Sequence, residues 1–395
     1  VIKIALLGFG TVGRGTYEIL TKKSENIKKV IGEEVFVSKI LKRNLNFQSE
    51  IDKSIFTDNF KEIVEDEEIK LVVEMTGDLK GSYGYIKEAL NAGKHVVTAN
   101  KAVVSEYFEE FLELAEKNKV AFLYEAAVAG SIPIITPLKT QVLINDITRV
   151  RGILNGTSNF LLTNMQVRKS EYKTILKEAQ ELGYAEADPY DDVEGMDALR
   201  KLRILSTIAF KTKIRNEDIL RRGISSIDLS DIAYLNKKNY KVKLIAEAII
   251  NEGKFKAVVE PVILSSDDEL YGIDGSVNSV EIFGENYGSL VFVGEGAGSL
   301  PTGNAIVSDI LDALSGHCYP ILIENNLIND NENYAARYYV RIKNGLDLSA
   351  DWIDFIESHG DHVIIETKEV KREFLLEQLK TLNIKEEDCF YARLN

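Results

Sequence analysis

The chain has 395 residues with 45% hydrophobic content, too long for one ordinary domain and ample for two or three cores. A formal charge of −14 argues against a broad nucleic-acid footprint, while leaving room for a local basic patch that meets a phosphate-bearing cofactor. Cys318 and Cys389 are the only two cysteines and make no disulfide framework or zinc site, and no run reaches the length of a membrane span. With a strand-like opening in place of a signal peptide, a cytoplasmic protein is expected.

Val1-Ile-Lys-Ile-Ala-Leu-Leu7 predicts a buried parallel strand. It runs straight into Gly8-Phe9-Gly10-Thr11-Val12-Gly13, and a helical pattern follows through Tyr17, Ile19 and Leu20. Gly-x-Gly-x-x-Gly between a strand and a helix is the context of a dinucleotide site. The first glycine makes the tight turn, the second admits the pyrophosphate to the backbone, and the third packs helix on strand. The next strand, Val35 to Leu41, ends in Lys42-Arg43 with no acid to meet a ribose hydroxyl. Arg43 is therefore the expected contact for the 2′-phosphate of NADP, with a solvated basic turn as the competing reading.

A strand from Leu71 ends in Thr76-Gly77, small residues at the edge where a doubly wound sheet binds its ligand. A helix around Tyr85 to Ala92 precedes the strand His95 to Thr98, which runs into Ala99-Asn100-Lys101. Lys101 at that end suits a cofactor or substrate contact, or a plain surface lysine. A helix from Glu106 to Asn118 and a strand from Ala121 to Glu125 complete the alternation. Small residues in Glu125-Ala-Ala-Val128-Ala-Gly130-Ser-Ile132 leave carbonyls accessible beside one carboxylate, which suits a hard cation or a tight packing turn.

Beyond about Ile134 the alternation changes. Val150 to Asn155 reads as a strand entering the turn Gly156-Thr157-Ser158-Asn159, with a helix from near Phe160. Backbone groups and the Thr157 hydroxyl there could hold a substrate carboxylate or carbonyl. A helix from about Ser170 to Leu182 leads to an acidic loop bearing Glu186, Asp188, Asp191, Asp192 and Glu194. From about Val193 the pattern is helical again, with an apolar stripe of Ala198, Leu199, Leu202, Leu205 and Ala209. Arg200, Arg203, Thr207 and Lys211 form its expected polar side, and Asp197 and Lys201 lie one turn apart on a shoulder. An ordinary helical ion pair and a lysine held in a cleft as proton donor are both open readings of that pair. Four further strands follow: Tyr240 to Ile250, Ala257 to Leu264, Ser279 to Phe283 and Ser289 to Val293. The glycine-dense Gly294 to Asn304, which includes Gly303, then precedes a helix from Ala305 to Leu314, as cofactor donors or as a hinge.

These runs resemble homoserine dehydrogenase. Gly8-x-Gly-x-x-Gly, Thr98-Ala-Asn-Lys101, Glu125-Ala-Ala-Val-Ala-Gly130, Leu154-Asn-Gly-Thr157 and Ala-Asp-Pro…Asp192…Gly-x-Asp197-x-x-x-Lys201 stand in that family's order over roughly residues 1 to 320. The resemblance implies a pyridine-nucleotide oxidoreductase that interconverts L-aspartate 4-semialdehyde and L-homoserine. NADP is the expected cofactor with NAD as a possibility, and the assembly is a homodimer or homotetramer. Carried over, Lys201 gives a proton to the carbonyl oxygen beside Asp197, and Lys101 sits at the cofactor–substrate junction. Glu186, Asp192, Gly156, Thr157 and Tyr184 hold the substrate, and Thr76 and Gly303 join the glycine loop at the cofactor. Glu125, Val128, Gly130 and Ile132 correspond to a sodium site. Where the family carries proline after the glutamate of the acidic loop, this chain has Ala187.

The expected architecture is therefore α/β, in three parts. A Rossmann-like doubly wound domain spans 1–133, with a return helix at 304–320, and an α+β catalytic and dimerisation domain spans 134–303. After a polar linker at 321–333, residues 334–395 resemble a ferredoxin-like ACT domain: strand Tyr334 to Ile342, helix Leu348 to Ser358, strand His362 to Glu366, helix Lys371 to Leu382, strand Asp388 to Leu394. The turn Lys343-Asn-Gly345-Leu346 lacks the Asp-x-Pro-Gly common in such domains, so a structural or dimer-forming role stands beside an effector site. Two rival functions are a thioester-forming semialdehyde dehydrogenase, which would need a catalytic cysteine, and a non-catalytic nucleotide sensor.

Overall fold

The computed structural model describes residues 1–46, 51–343, 350–385 and 388–395. The chain divides into two compact units. Unit 1 comprises residues 1–144, 207–211 and 294–323, and unit 2 the remainder of the chain.

In unit 1, six strands form one parallel sheet: β1 (Ile2–Leu7), β2 (Val35–Leu41), β3 (Phe56–Thr57), β4 (Ile69–Glu74), β5 (His95–Thr98) and β6 (Phe122–Leu123). Their order is β3-β2-β1-β4-β5-β6, which reverses direction between β1 and β4 and so sets the ligand crevice at the end of β1. Ile4, Leu6, Leu71, Val73 and Val97 are buried within the sheet, as parallel strands covered on both faces require. Ala305, Ile306 and Ile310 of the helix Ser299–Ser315 enter the same core. Contrary to the expected strand 121–125, β6 stops at Leu123, because Glu125–Ala127 closes a 3₁₀ turn.

Unit 2 is built on a 12-stranded sheet. Its strands are β7 (Ile147–Ile153), β8 (Leu220–Arg221), β9 (Lys241–Asn251), β10 (Lys254–Leu264), β11 (Val277–Gly284), β12 (Gly288–Glu295), β13 (Ile328–Asn329), β14 (Ala335–Lys343), β15 (Ile353–His359), β16 (His362–Thr367), β17 (Val370–Lys371) and β18 (Phe390–Leu394). The main path runs β12-β11-β7-β9-β10-β18-β14-β16-β15. The last strand thus adds in parallel to β10, through Val262 with Arg393 and Ile263 with Leu394. Even the polar linker contributes, since β13 pairs with Lys254 and Phe255.

Two expectations need correction. Residues 353–359 are strand rather than helix, because β15 pairs along β16 from Ile353 with Thr367 to His359 with His362. The start of that expected helix, and residues 344–346 of the turn before it, lie outside the described residues. The second correction concerns the helix Met196–Phe210, whose expected polar side is mostly buried: Arg203 is 2% exposed and Thr207 is fully buried, while Arg200 stays partly exposed in an ion pair with Asp191. A helix buried over most of its surface carries polar groups inward only where they pair, and this one takes Asp197 and Lys201 into the interior.

Candidate active site

In unit 2 the site grows from the junction of β7 with the helix Gly156–Arg168. Asn155 caps that helix, its Oδ1 accepting the N–H of Ser158 at 2.7 Å. A Cβ on Gly156 would stand 2.6 Å from the Ser276 carbonyl oxygen, so only glycine permits this approach. Facing it, Lys201 Nζ donates to Asp197 Oδ2 at 2.7 Å and to the Leu154 carbonyl at 2.6 Å. Asn278 Nδ2 donates to the same carbonyl at 3.0 Å. Lys201 and Asp197 are 6% and 3% exposed, so their attraction acts where solvent screens it little.

Asn155 binds the acidic residues together. Its Nδ2 donates to Asp192 Oδ1 at 2.7 Å and to Asp197 Oδ2 at 2.9 Å. Sequence reasoning did not single out Asn155, because it placed the helix start near Phe160 and left Asn155 at the end of a strand, whereas the helix begins at Gly156. The available signal was its position directly beside Gly156, ahead of a loop with several carboxylates.

The remaining expected substrate contacts are placed differently. Thr157 Oγ1 is committed to the Tyr184 carbonyl at 2.6 Å, and the Tyr184 ring stacks on Phe160 at 4.7 Å between centroids. Glu186 lies on an exposed loop whose backbone carbonyls at Glu186 and Ala187 accept from Gln180 Nε2. The structure therefore brings Lys201, Asp197 and Asp192 together around Leu154 and Asn155, with Glu186 on the exposed loop before them.

In unit 1 the glycine loop has the expected division of labour. Gly8 has φ +97°, and a Cβ there would meet the Met75 carbonyl oxygen at 2.9 Å. A Cβ at Gly13 would meet the Gly8 carbonyl oxygen at 2.5 Å. At Gly10 a Cβ would meet nothing within 4 Å, and the helix Thr11–Lys22 starts there without a side-chain cap. Open space beside uncapped N–H groups, just past Thr11 and Val12, suits a pyrophosphate. Phe9 turns its ring into the core against Phe56 and Tyr17, leaving its backbone to the loop.

At the ends of β4 and β5 a fully buried carboxylate, Glu74, gathers the hydroxyls. It accepts from Thr76 N and Oγ1, Ser82 Oγ and Thr98 Oγ1, each at 2.7 Å. Sequence reasoning passed over Glu74, which looks like an ordinary strand residue. Asn100 next to it caps the helix Lys101–Asn118, which sets Lys101 at the start of that helix. Arg43 is 82% exposed in its side chain, and its Nη2 lies 3.1 Å from Asp78 Oδ2. Gly303 faces another helix: its Cβ would fall 2.9 Å from the Gly15 backbone, so close helix packing accounts for the glycine.

Glu125 is 4% exposed and receives three N–H groups, from Ile134 and Ile135 at 2.6 Å and from Thr136 at 2.9 Å. Its own N–H donates to Asp309 Oδ2 at 2.8 Å. Burial, reinforced by Glu125, holds the Asp309 carboxyl well above the usual carboxylate range, and burial lowers Lys139 beside it. Val128 and Ile132 are buried next to the turn, where Ala129 and Gly130 take φ +55° and +59°. Among the described residues no three His, Cys, Asp or Glu side chains gather as a metal cluster, and no helix is long and apolar enough to cross a membrane.

Comparison with known proteins adds the following. Residues 8–125 match the family described as homoserine dehydrogenase, NAD binding domain, and residues 133–311 match homoserine dehydrogenase. The homoserine dehydrogenase of Bacillus subtilis is 38% identical over 312 residues, which cover 78% of this chain and 72% of that protein. A crystal structure of a homoserine dehydrogenase from Thiobacillus denitrificans superposes with a TM-score of 0.90 at 32% identity, covering 100% of this chain and 98% of that one. A hyperthermophilic archaeal homoserine dehydrogenase in complex with NADPH gives a TM-score of 0.69 at 27% identity, covering 81% and 99%.

Proposed function

The chain belongs to the homoserine dehydrogenase family, and from that membership we propose how its residues divide the work. The activity is that of a nicotinamide-dependent oxidoreductase acting on CH–OH, interconverting L-aspartate 4-semialdehyde and L-homoserine in amino-acid biosynthesis.

Lys201 is the proton donor. Reduction places negative charge on the aldehyde oxygen, and a buried ammonium stabilises that charge before giving up its proton. Asp197 and the Leu154 carbonyl hold the ammonium in place, and this geometry is the observation that carries the reading. Asp192, oriented by Asn155, takes the substrate ammonium, with Glu186, Gly156, Thr157 and Tyr184 completing the pocket wall. Bound at the glycine loop, the reduced nicotinamide supplies the hydride. Gly8 to Gly13 receive the pyrophosphate, while Thr76 and Lys101 line the nicotinamide end. Arg43 meets a 2′-phosphate, which makes NADPH the preferred cofactor, and the NADPH complex of the archaeal relative supports this.

We propose a sodium-like ion beside Glu125. Three N–H bonds use three of about four acceptor positions on a carboxylate, leaving one for the ion, with the carbonyls of Val128, Gly130 and Ile132 as the further ligands the family resemblance implies. For the tail, an ACT-like reading is supported by β14, β15, β16 and β18, whose sheet order is fourth-first-third-second, with the helix Arg372–Thr381 between the last two. We further propose a cytoplasmic homodimer or homotetramer.

The test is Lys201→Ala, assayed by NADPH oxidation with aspartate semialdehyde and by NADPH fluorescence. Turnover falls by about two to four powers of ten while NADPH binding persists. Wild-type turnover in that variant removes Lys201 from the mechanism.

A further inference from the structure

Unit 2 contains a cavity of about 270 Å³ that Lys201 does not line; three arginines, Arg221, Arg222 and Arg372, line it, with Glu194 as the acid among its lining residues. That is a local surplus of positive charge in a chain whose formal charge is −14. A larger cavity, of about 530 Å³, has four cationic and four acidic side chains and so favours no sign of charge.

The small cavity is built with fixed walls. Arg222 lies 3.7 Å over the ring of Tyr391 and donates from Nη2 to Ser226 Oγ at 3.1 Å and to the Cys389 carbonyl at 3.0 Å. Arg372 donates from Nη2 to the Arg221 carbonyl at 3.1 Å, yet its Nε is buried with no hydrogen-bond partner among the described residues. Buried guanidinium N–H groups normally find an acceptor. Arg372 also opens the helix Arg372–Thr381, which has no side-chain cap and so favours negative charge at that end. Ser225 and Ser226 add hydroxyls on the remaining side.

We propose that this cavity binds a small oxyanion, the carboxylate or phosphate group of an effector, and that its occupancy changes the affinity for the amino-acid substrate. The path to the substrate is short. Glu194 follows directly on the turn Tyr190–Val193 that carries Asp192, and the Glu194 carboxylate accepts from Ser225 Oγ. The Ile224 N–H donates to the Val193 carbonyl at 2.8 Å, which ties the backbone between the lining residues Gly223 and Ser225 to the Asp192 turn. An anion that draws Arg221 from the Glu194 carbonyl, which it now holds, reaches Asp192 through that turn. This coupling rests on Asp192 as a substrate ligand, whereas the binding itself does not.

The experiment is calorimetric titration of the full chain with sodium phosphate and, separately, with sodium acetate, ionic strength being held constant with sodium chloride. Saturable one-site heat is expected. Phosphate alone identifies a phosphate-bearing effector, and heat from acetate a carboxylate-bearing one. Arg372→Met and Arg221→Met each weaken binding at least tenfold, with folding verified by melting; the half-exposed Arg221 carries the test if Arg372→Met does not fold. At saturating anion the KM for homoserine shifts at least threefold. No saturable heat with either salt, or equal heat in the variants, overturns the site; binding with an unmoved KM overturns the coupling.

Discussion

Asn155 Nδ2 lies 2.9 Å from Asp197 Oδ2, the same oxygen that accepts from Lys201 at 2.7 Å. A neutral amide therefore shares the carboxylate that positions the proposed acid, and it also holds Asp192. Asn155→Asp separates this positioning role from the helix cap. Aspartate caps as well as asparagine, so stability of the helix start is retained. It also sets a third carboxylate against two others, which raises their pKa values by like-charge repulsion. Turnover should fall about 10- to 100-fold, a barrier increase of about 1.4–2.7 kcal/mol, with the acid limb of the pH–rate profile moved upward. Full activity with an unmoved profile would leave Asn155 as a cap and nothing more.

Gly10 and Gly13 stand three residues apart but serve different masters. Gly10→Ala places a methyl in open space, so the melting temperature without cofactor should match the wild type. The same methyl occupies the approach of the pyrophosphate, and the KM for NADPH should rise at least ~10-fold, equivalent to ~1.4 kcal/mol. Gly13→Ala drives a methyl to 2.5 Å from the Gly8 carbonyl oxygen and should cost about 1–3 kcal/mol of stability even without cofactor. Thermal melts with and without NADPH compare the two. Equal destabilisation by both would undo the distinction.

What could be read from sequence was what local geometry dictates. A strand that meets Gly-x-Gly-x-x-Gly and then a helix leaves few alternatives, and four-residue spacing alone places Asp197 beside Lys201. Partners from distant strands were out of reach. Arg203 and Thr207 look like a solvated face on a helical wheel, and only tertiary packing buries them. Glu74 and Glu125 look alike as acids at strand ends, but one is wrapped in hydroxyls and the other caps a helix. Segment 353–359 carries apolar residues at Ile353, Phe355 and Ile356, a spacing that satisfies either period, and pairing with β16 decides for strand.

Arg43 is the residue on which cofactor preference turns. Its guanidinium is mostly solvent-exposed beside Asp78, and that carboxylate independently caps the helix Leu79–Asn91 through the Gly81 N–H. Removing the arginine therefore leaves the cap in place, and an exposed ion pair is worth less than about 1 kcal/mol. Arg43→Ala should lower kcat/KM with NADPH about tenfold, the worth of one charge-assisted contact, and leave NADH unaffected. An unchanged ratio between the two cofactors would exclude Arg43 from the site.

His95 gives the fold a defined response to acid. Its Nδ1 accepts the Ala121 N–H at 2.9 Å at the start of β5, so that nitrogen must be unprotonated, and burial pushes the imidazole pKa below its ordinary value. Protonation would set an N–H against an N–H as well as burying charge. Since the folded pKa is the lower one, the unfolded chain takes up the proton first. The His95 contribution is thus fully present above the unfolded value near 6.5 and is lost as pH falls through the folded value. His95→Asn keeps an acceptor for Ala121 without a titrating group. Melting temperatures of both proteins between pH 7.5 and 5, a range spanning about a unit either side of the ordinary imidazole pKa, should diverge. The wild type should lose more stability on acidification than the variant, the other three histidines and the carboxylates being common to both. Parallel curves would mean that His95 stays neutral at no cost, and that the bond to Ala121 is not what acid breaks.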